Sequence, residues 1–179
     1  MPTDDRLQAL LDRAALIDVL STYATGLDAR DWVLWRSVFL DEVVFDLSSW
    51  SGQAPRKLET DRVVAAQAKI FAELSVTQHF ITNHRITLDY HGNKDRARVV
   101  AHMRAEHWLD DSPEHPQREG TQRYTMFGYY DDKLVRTPAG WKIAEMQLNV
   151  TRTEGNRYAM DEATRRMRAR RDKEQKEAR

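Results

Sequence analysis

Two side chains define the chemistry this sequence could carry out. Asp28 lies in Tyr23-Ala24-Thr25-Gly26-Leu27-Asp28-Ala29-Arg30-Asp31-Trp32, and His79 lies in Thr77-Gln78-His79-Phe80-Ile81. A carboxylate that orients an imidazole makes a base able to take a proton from carbon near neutral pH. Read alone, Asp28 is equally a turn or capping residue and His79 a half-exposed strand histidine. Brought together, they form the best general-base candidate in the chain. Tyr23 sits on the apolar side of the same segment as Asp28. It is either a core tyrosine with a satisfied hydroxyl or a hydrogen-bond donor to a developing oxyanion or leaving hydroxyl.

Around these three, His107, Asn83 and Tyr130 are candidate polar groups for holding a substrate, with Trp35 and Met103 as apolar wall. The bland alternative for each is packing or a satisfied ladder-side hydrogen bond. A metal centre is not expected. His79 and His84 are an odd interval apart, as are His102 and His107, so on regular strands each pair would point to opposite faces. There are no cysteines, which excludes disulfides and thiolate chemistry. No phosphate-cradling glycine loop or nucleophile elbow is present, and no cofactor is expected.

Periodicity gives the elements that must position these groups. Leu7, Leu10, Leu11, Ala14, Ile17, Leu20, Tyr23 and Ala24 predict an amphipathic helix over about residues 4–26, stopped near Gly26. Asp31 is placed to cap a second helix carrying Trp32, Trp35, Val38 and Phe39, and Thr60 to cap a third. Val43-Val44-Phe45-Asp46-Leu47 reads as a strand broken by a polar loop, Ser48-Ser49-Trp50-Ser51-Gly52. Strands follow at about 78–90, 97–109, 121–135 and 141–150, with a longer polar connection at Asp110-Asp111-Ser112-Pro113-Glu114-His115-Pro116. Alternation puts Val99, Ala101, Met103, Ala105 and His107 on one face. It groups Trp141, Ile143, Glu145, Gln147 and Asn149, unless a bulge such as one at Gly128 intervenes.

The expected architecture is therefore α+β. A cone-shaped, curved, mostly antiparallel sheet wraps over N-terminal helices and leaves a concave apolar cavity. Residues 1–155 form the cone and 156–179 a charged helical tail leaving the body to pack on a neighbour or fray. Basic and acidic side chains balance at 28 each, so a nucleic-acid footprint is absent apart from that tail, where acidic residues interleave the basic ones. The charged N-terminus lacks an apolar export core and no stretch is long enough to span a bilayer, which implies a cytoplasmic protein without a membrane partner. Apolar residues on both strand faces, Val99 and Val100 for example, imply a homo-oligomer.

The Leu27-Asp28-x-x-Asp31-Trp32 segment, the Gln78-His79-Phe80 segment and the Gly140-Trp141-Lys142 turn resemble the SnoaL-like branch of the nuclear transport factor two-like superfamily. The likeness runs from about Leu7 to Val150. Asp28 and His79 fall where scytalone dehydratase and lindane dehydrochlorinase carry their Asp–His dyad. Tyr23 matches the catalytic tyrosine of bile acid 7α-dehydratase. Leu27 stands where scytalone dehydratase has a tyrosine, and no acid clearly matches the bile acid enzyme's second aspartate. The resemblance implies a cofactor-independent lyase, dehydratase-like, acting on a mainly apolar cyclic or aromatic small molecule. It equally accommodates an isomerase of the ketosteroid isomerase type or a non-catalytic binding or accessory subunit, and it implies a trimer or a dimer.

Overall fold

A computed structural model describes residues 5–109 and 123–177, which leaves the expected polar connection from Asp110 outside the described residues. Helix α1 (Asp5–Asp28) turns into α2 (Trp32–Ser37), followed by β1 (Phe39–Asp46), a short α3 (Ser48–Ser51), β2 (Arg56–Glu59) and α4 (Thr60–Phe71). Then come β3 (Val76–Thr87), β4 (Arg96–Trp108), β5 (Arg123–Thr137), β6 (Gly140–Gly155) and α5 (Tyr158–Glu177). The six strands make one sheet in the order β2-β1-β6-β5-β4-β3, with every pairing antiparallel except β1 with β6. This is the α+β cone, with helices in its concave face. No helix among the described residues is long and apolar enough to cross a membrane.

The buried face of α1 is Leu16, Leu20, Tyr23, Ala24 and Leu27, whereas Leu7, Leu10, Leu11 and Ile17 of the same apolar series are exposed. Buried Asp12 ties the helix to the far hairpin. Arg136 donates to both of its oxygens at 2.7 Å, and the Trp141 indole donates at 3.1 Å. Trp35, Phe39 and Tyr23 form an aromatic nucleus, the first two with ring centroids 5.0 Å apart. Truncating such a ring costs about 3–5 kcal/mol. Gly26 lets the first two helices meet, since a Cβ there would lie 2.7 Å from the Trp35 backbone nitrogen.

The turn between α1 and α2 is a Schellman motif: the Asp31 N–H donates to the Gly26 carbonyl at 2.9 Å and that of Arg30 to Leu27 at 3.2 Å. Arg30 holds the left-handed position (φ 55), and its guanidinium donates to the carbonyls of Leu74 and Ser75. The corner that ends in Asp28 is thereby fastened to the residues that lead into β3.

Several local expectations are corrected. Asp31 caps α2 through the Leu34 N–H, but Thr60 is not a cap; its hydroxyl donates to the Leu40 carbonyl and fixes α4 to β1. The segment after β1 is a helical turn rather than a loop. Strand alternation is broken in β3 and in β6. Asn83 (φ 55) forms a bulge between Thr82 and Arg85, and the register of β6 slips at Ala144. Beyond that slip Met146 and Leu148 face the core, and Gln147 and Asn149, expected beside Ile143, do not. Gly128 keeps its parity against β4, and the irregularity beside it falls on β6. The last helix does not leave the body. Ala159, Glu162 and Ala163 are buried, and Arg170 pairs with Glu73 of the α4–β3 connection at 3.1 Å.

Candidate active site

Asp28 is the last residue of α1, at the negative end of the helix dipole, where a carboxylate is disfavoured. β3 supplies what holds it. The His79 N–H donates to Oδ2 at 2.7 Å, the Thr77 hydroxyl to Oδ1 at 3.0 Å, and the Gln78 amide reaches Oδ2 at 3.4 Å. The Nδ1 atom of His79 lies 2.6 Å from Oδ1. Burial pushes the Asp28 carboxyl up, but the bonds and charge of His79 and the Thr77 hydroxyl outweigh it, so the group titrates below the ordinary range. An ionised Asp28 fixes the proton on Nδ1 and leaves Nε2 as the basic nitrogen. The His79 ring is stacked on Phe71 at 6.4 Å.

His79 lines a cavity of about 220 Å³ in the concave face, with no aspartate, glutamate, lysine or arginine on its wall among the described residues. His107 meets it edge to face, 5.4 Å away, and is 2% exposed. Burial, and then the neighbouring His79, push His107 down to about 3, so it is neutral near pH 7. Tyr23 and Tyr130 form the inner wall, their rings 5.5 Å apart. Tyr23 also lies 4.0 Å from the Met146 sulfur. Burial raises both phenols, which stay protonated and able to donate. Asp132, two residues along β5 from Tyr130, is fully buried, and burial raises its carboxyl well above the ordinary range.

The expected residues divide cleanly by position. His79 and Tyr23 line one cavity with His107, Tyr130 and Trp35, and Asp28 is bonded to His79 from behind that wall. Met103 is buried on the same sheet face but is not part of the cavity wall. Asn83 is exposed on the other side of the sheet, its amide 3.4 Å from His102. The same bulge overturns the parity reading for His79 and His84, though not for His102 and His107: after it, His84 turns inward, with a buried Nε2 that has no partner among the described residues. Unforeseen wall residues come from helices: Gln67 and Phe71 on α4, Trp50 on α3, Met160 and Thr164 on α5. Gln67 was readable in principle, being one turn from both Val63 and Phe71 on the inward stripe of α4.

A model of the SnoaL-like domain matches residues 8–147, most of the chain and all of the cone up to β6. This chain belongs to the SnoaL-like family. The solved structures agree with that membership. The Kfla4162 protein of Kribbella flavida is 33% identical, with 86% of this chain and 99% of that one aligned at a TM-score of 0.74. A Novosphingobium aromaticivorans protein carrying the provisional name aromatic ring hydroxylase is 26% identical over 84% of this chain and 97% of its own, at 0.69. The hexachlorocyclohexane dehydrochlorinase LinA-type3 of Novosphingobium barchaimii is 18% identical over 85% and 94%, at 0.66, a likeness of fold. No curated protein matches the chain.

Proposed function

We propose that this SnoaL-like protein is a cofactor-independent lyase, dehydratase-like, acting on an uncharged or mainly apolar cyclic or aromatic molecule. The observation that carries the reading is the 2.6 Å bond between Asp28 and His79 at the wall of an otherwise uncharged cavity. The substrate presents a C–H bond beside a carbonyl or phenol. Nε2 of His79 takes the proton, and Asp28 holds Nδ1–H and stabilises the imidazolium. The C–H electron pair moves toward the ring oxygen, which accepts hydrogen bonds from Tyr23 and Tyr130. Collapse of that enolate forms the C=C bond and expels hydroxide from the neighbouring carbon, and the imidazolium proton converts the hydroxide to water. Atoms and charge balance without an oxidant or a metal.

The same first step serves an isomerase, in which the imidazolium returns its proton to a different carbon. The paired phenols at the inner wall favour this second reading equally, since both reactions pass through the enolate. The likeness to a dehydrochlorinase fold tilts the choice toward elimination.

Purified His79→Ala and Asp28→Asn should be assayed against a panel of cyclic hydroxy-ketones and phenols. Loss is expected mainly in kcat, by about 10²–10⁴-fold for His79→Ala, with KM little changed. Unimpaired turnover in both variants would remove the dyad from the mechanism.

A further inference from the structure

The cavity does not end at its own wall. Phe45 and Leu47 line it and also line two neighbouring clefts of about 290 and 230 Å³. Gln67 is shared with the first cleft and Trp50 with the second, and Leu58 joins the two clefts to each other. The sheet register explains the continuity. Phe45 on β1 is paired with Arg56 on the edge strand β2, and Val43 with Leu58, so these side chains continue the concave face outward by one strand.

The charges change along this path. Among the described residues the inner cavity has none, whereas the clefts carry Arg62 and Arg56 and no carboxylate. Arg62 is exposed and paired with Glu59 at 2.8 Å. Arg56 has no hydrogen-bond or ion-pair partner among the described residues. A cation at the end of an apolar groove matches an amphiphile whose charged group is remote from its ring, and a guanidinium fork fits a carboxylate in particular.

Building on the ring-binding cavity of the proposed function, we propose that the ligand is an aryl or alicyclic ring bearing an apolar chain that ends in a carboxylate. The ring occupies the cavity beside His79, the chain crosses Phe45 and Leu47, and the carboxylate pairs with Arg56.

The test uses a series of ω-phenylalkanoic acids of increasing chain length and their methyl esters, with binding followed by quenching of the cavity tryptophans in the full-length chain. Affinity of the acids should climb to an optimum length and there exceed that of the matching ester about tenfold. Arg56→Met should abolish that acid preference and leave ester binding unchanged, while Arg56→Lys keeps part of it. Equal binding of acid and ester at every length overturns the inference, as does a preference that survives Arg56→Met. The two readings fail separately: loss of the acid preference alone leaves the dyad untouched, whereas esters that fail to bind remove the ring-binding cavity itself.

Discussion

Asp28 occupies the helix end where a carboxylate is least favoured, and its oxygens are taken up by one strand alone, through Thr77, Gln78 and His79. A turn-forming aspartate would bond to its own corner, yet here the corner closes with backbone and Arg30. The second histidine carries the clearest pH signature. His107 is pushed down to about 3, against an ordinary value of 6.5, by burial and by His79. Its folded value is depressed, so the stability it permits is fully present above pH 6.5 and is lost as the pH falls toward 3. The slope is about 1.4 kcal/mol per pH unit. His107→Gln should therefore show a flatter urea midpoint than wild type between about pH 6 and 4. Parallel curves would mean that His107 already titrates normally in the folded chain. At this scale the meeting of Asp28 and His79 was legible because their two segments carry the resemblance, and Asn83 was misplaced because a single left-handed residue breaks the period of two.

At the scale of elements, long periodic segments declared themselves and short ones did not. β2 spans only four residues, Arg56–Glu59, with one apolar side chain, and α3 only Ser48–Ser51, so neither has room for a period. α5 was legible as a helix but not as part of the body, because its sequence shows a charged surface while its docking face is small: Ala159 and Ala163, with Met160 and Thr164 reaching the cavity. That face makes a testable demand. Ala163 is 0% exposed, so Ala163→Glu buries a charge or lifts the helix from the mouth of the cavity. The expected cost is above about 2 kcal/mol in chemical denaturation. Any surviving fold should show a raised KM with a smaller change in kcat, since the dyad lies on α1 and β3. A variant with wild-type stability and KM would mean that α5 does not close the cavity in solution.

For the whole molecule, the order of helices first and long strands afterwards was enough to give the cone, because a curved sheet with an apolar inner face has few other ways to bury it. What covers the outside is decided by side chains that periodicity does not see. The expectation of assembly rested on the outer sheet face, but that face carries its own charged cover: Arg98 is bonded to Asp131 at 2.7 Å, and Arg104 lies 5.7 Å over the Phe127 ring. The uncovered apolar surface lies elsewhere. Leu7, Leu10 and Leu11 of α1 are more than half exposed, and Phe80 on the edge strand β3, against which α1 packs, is 49% exposed. A balanced formal charge, 28 basic against 28 acidic side chains, gives two copies little mutual repulsion. The chain is therefore expected to self-associate through α1 and to remain associated in high salt, since the contact would be apolar. Light scattering after size exclusion should show an oligomer that Leu10→Glu with Leu11→Glu converts to a monomer while the circular dichroism of the fold is retained. A wild-type monomer at high concentration would leave the α1 stripe exposed in solution and end the case for assembly through it.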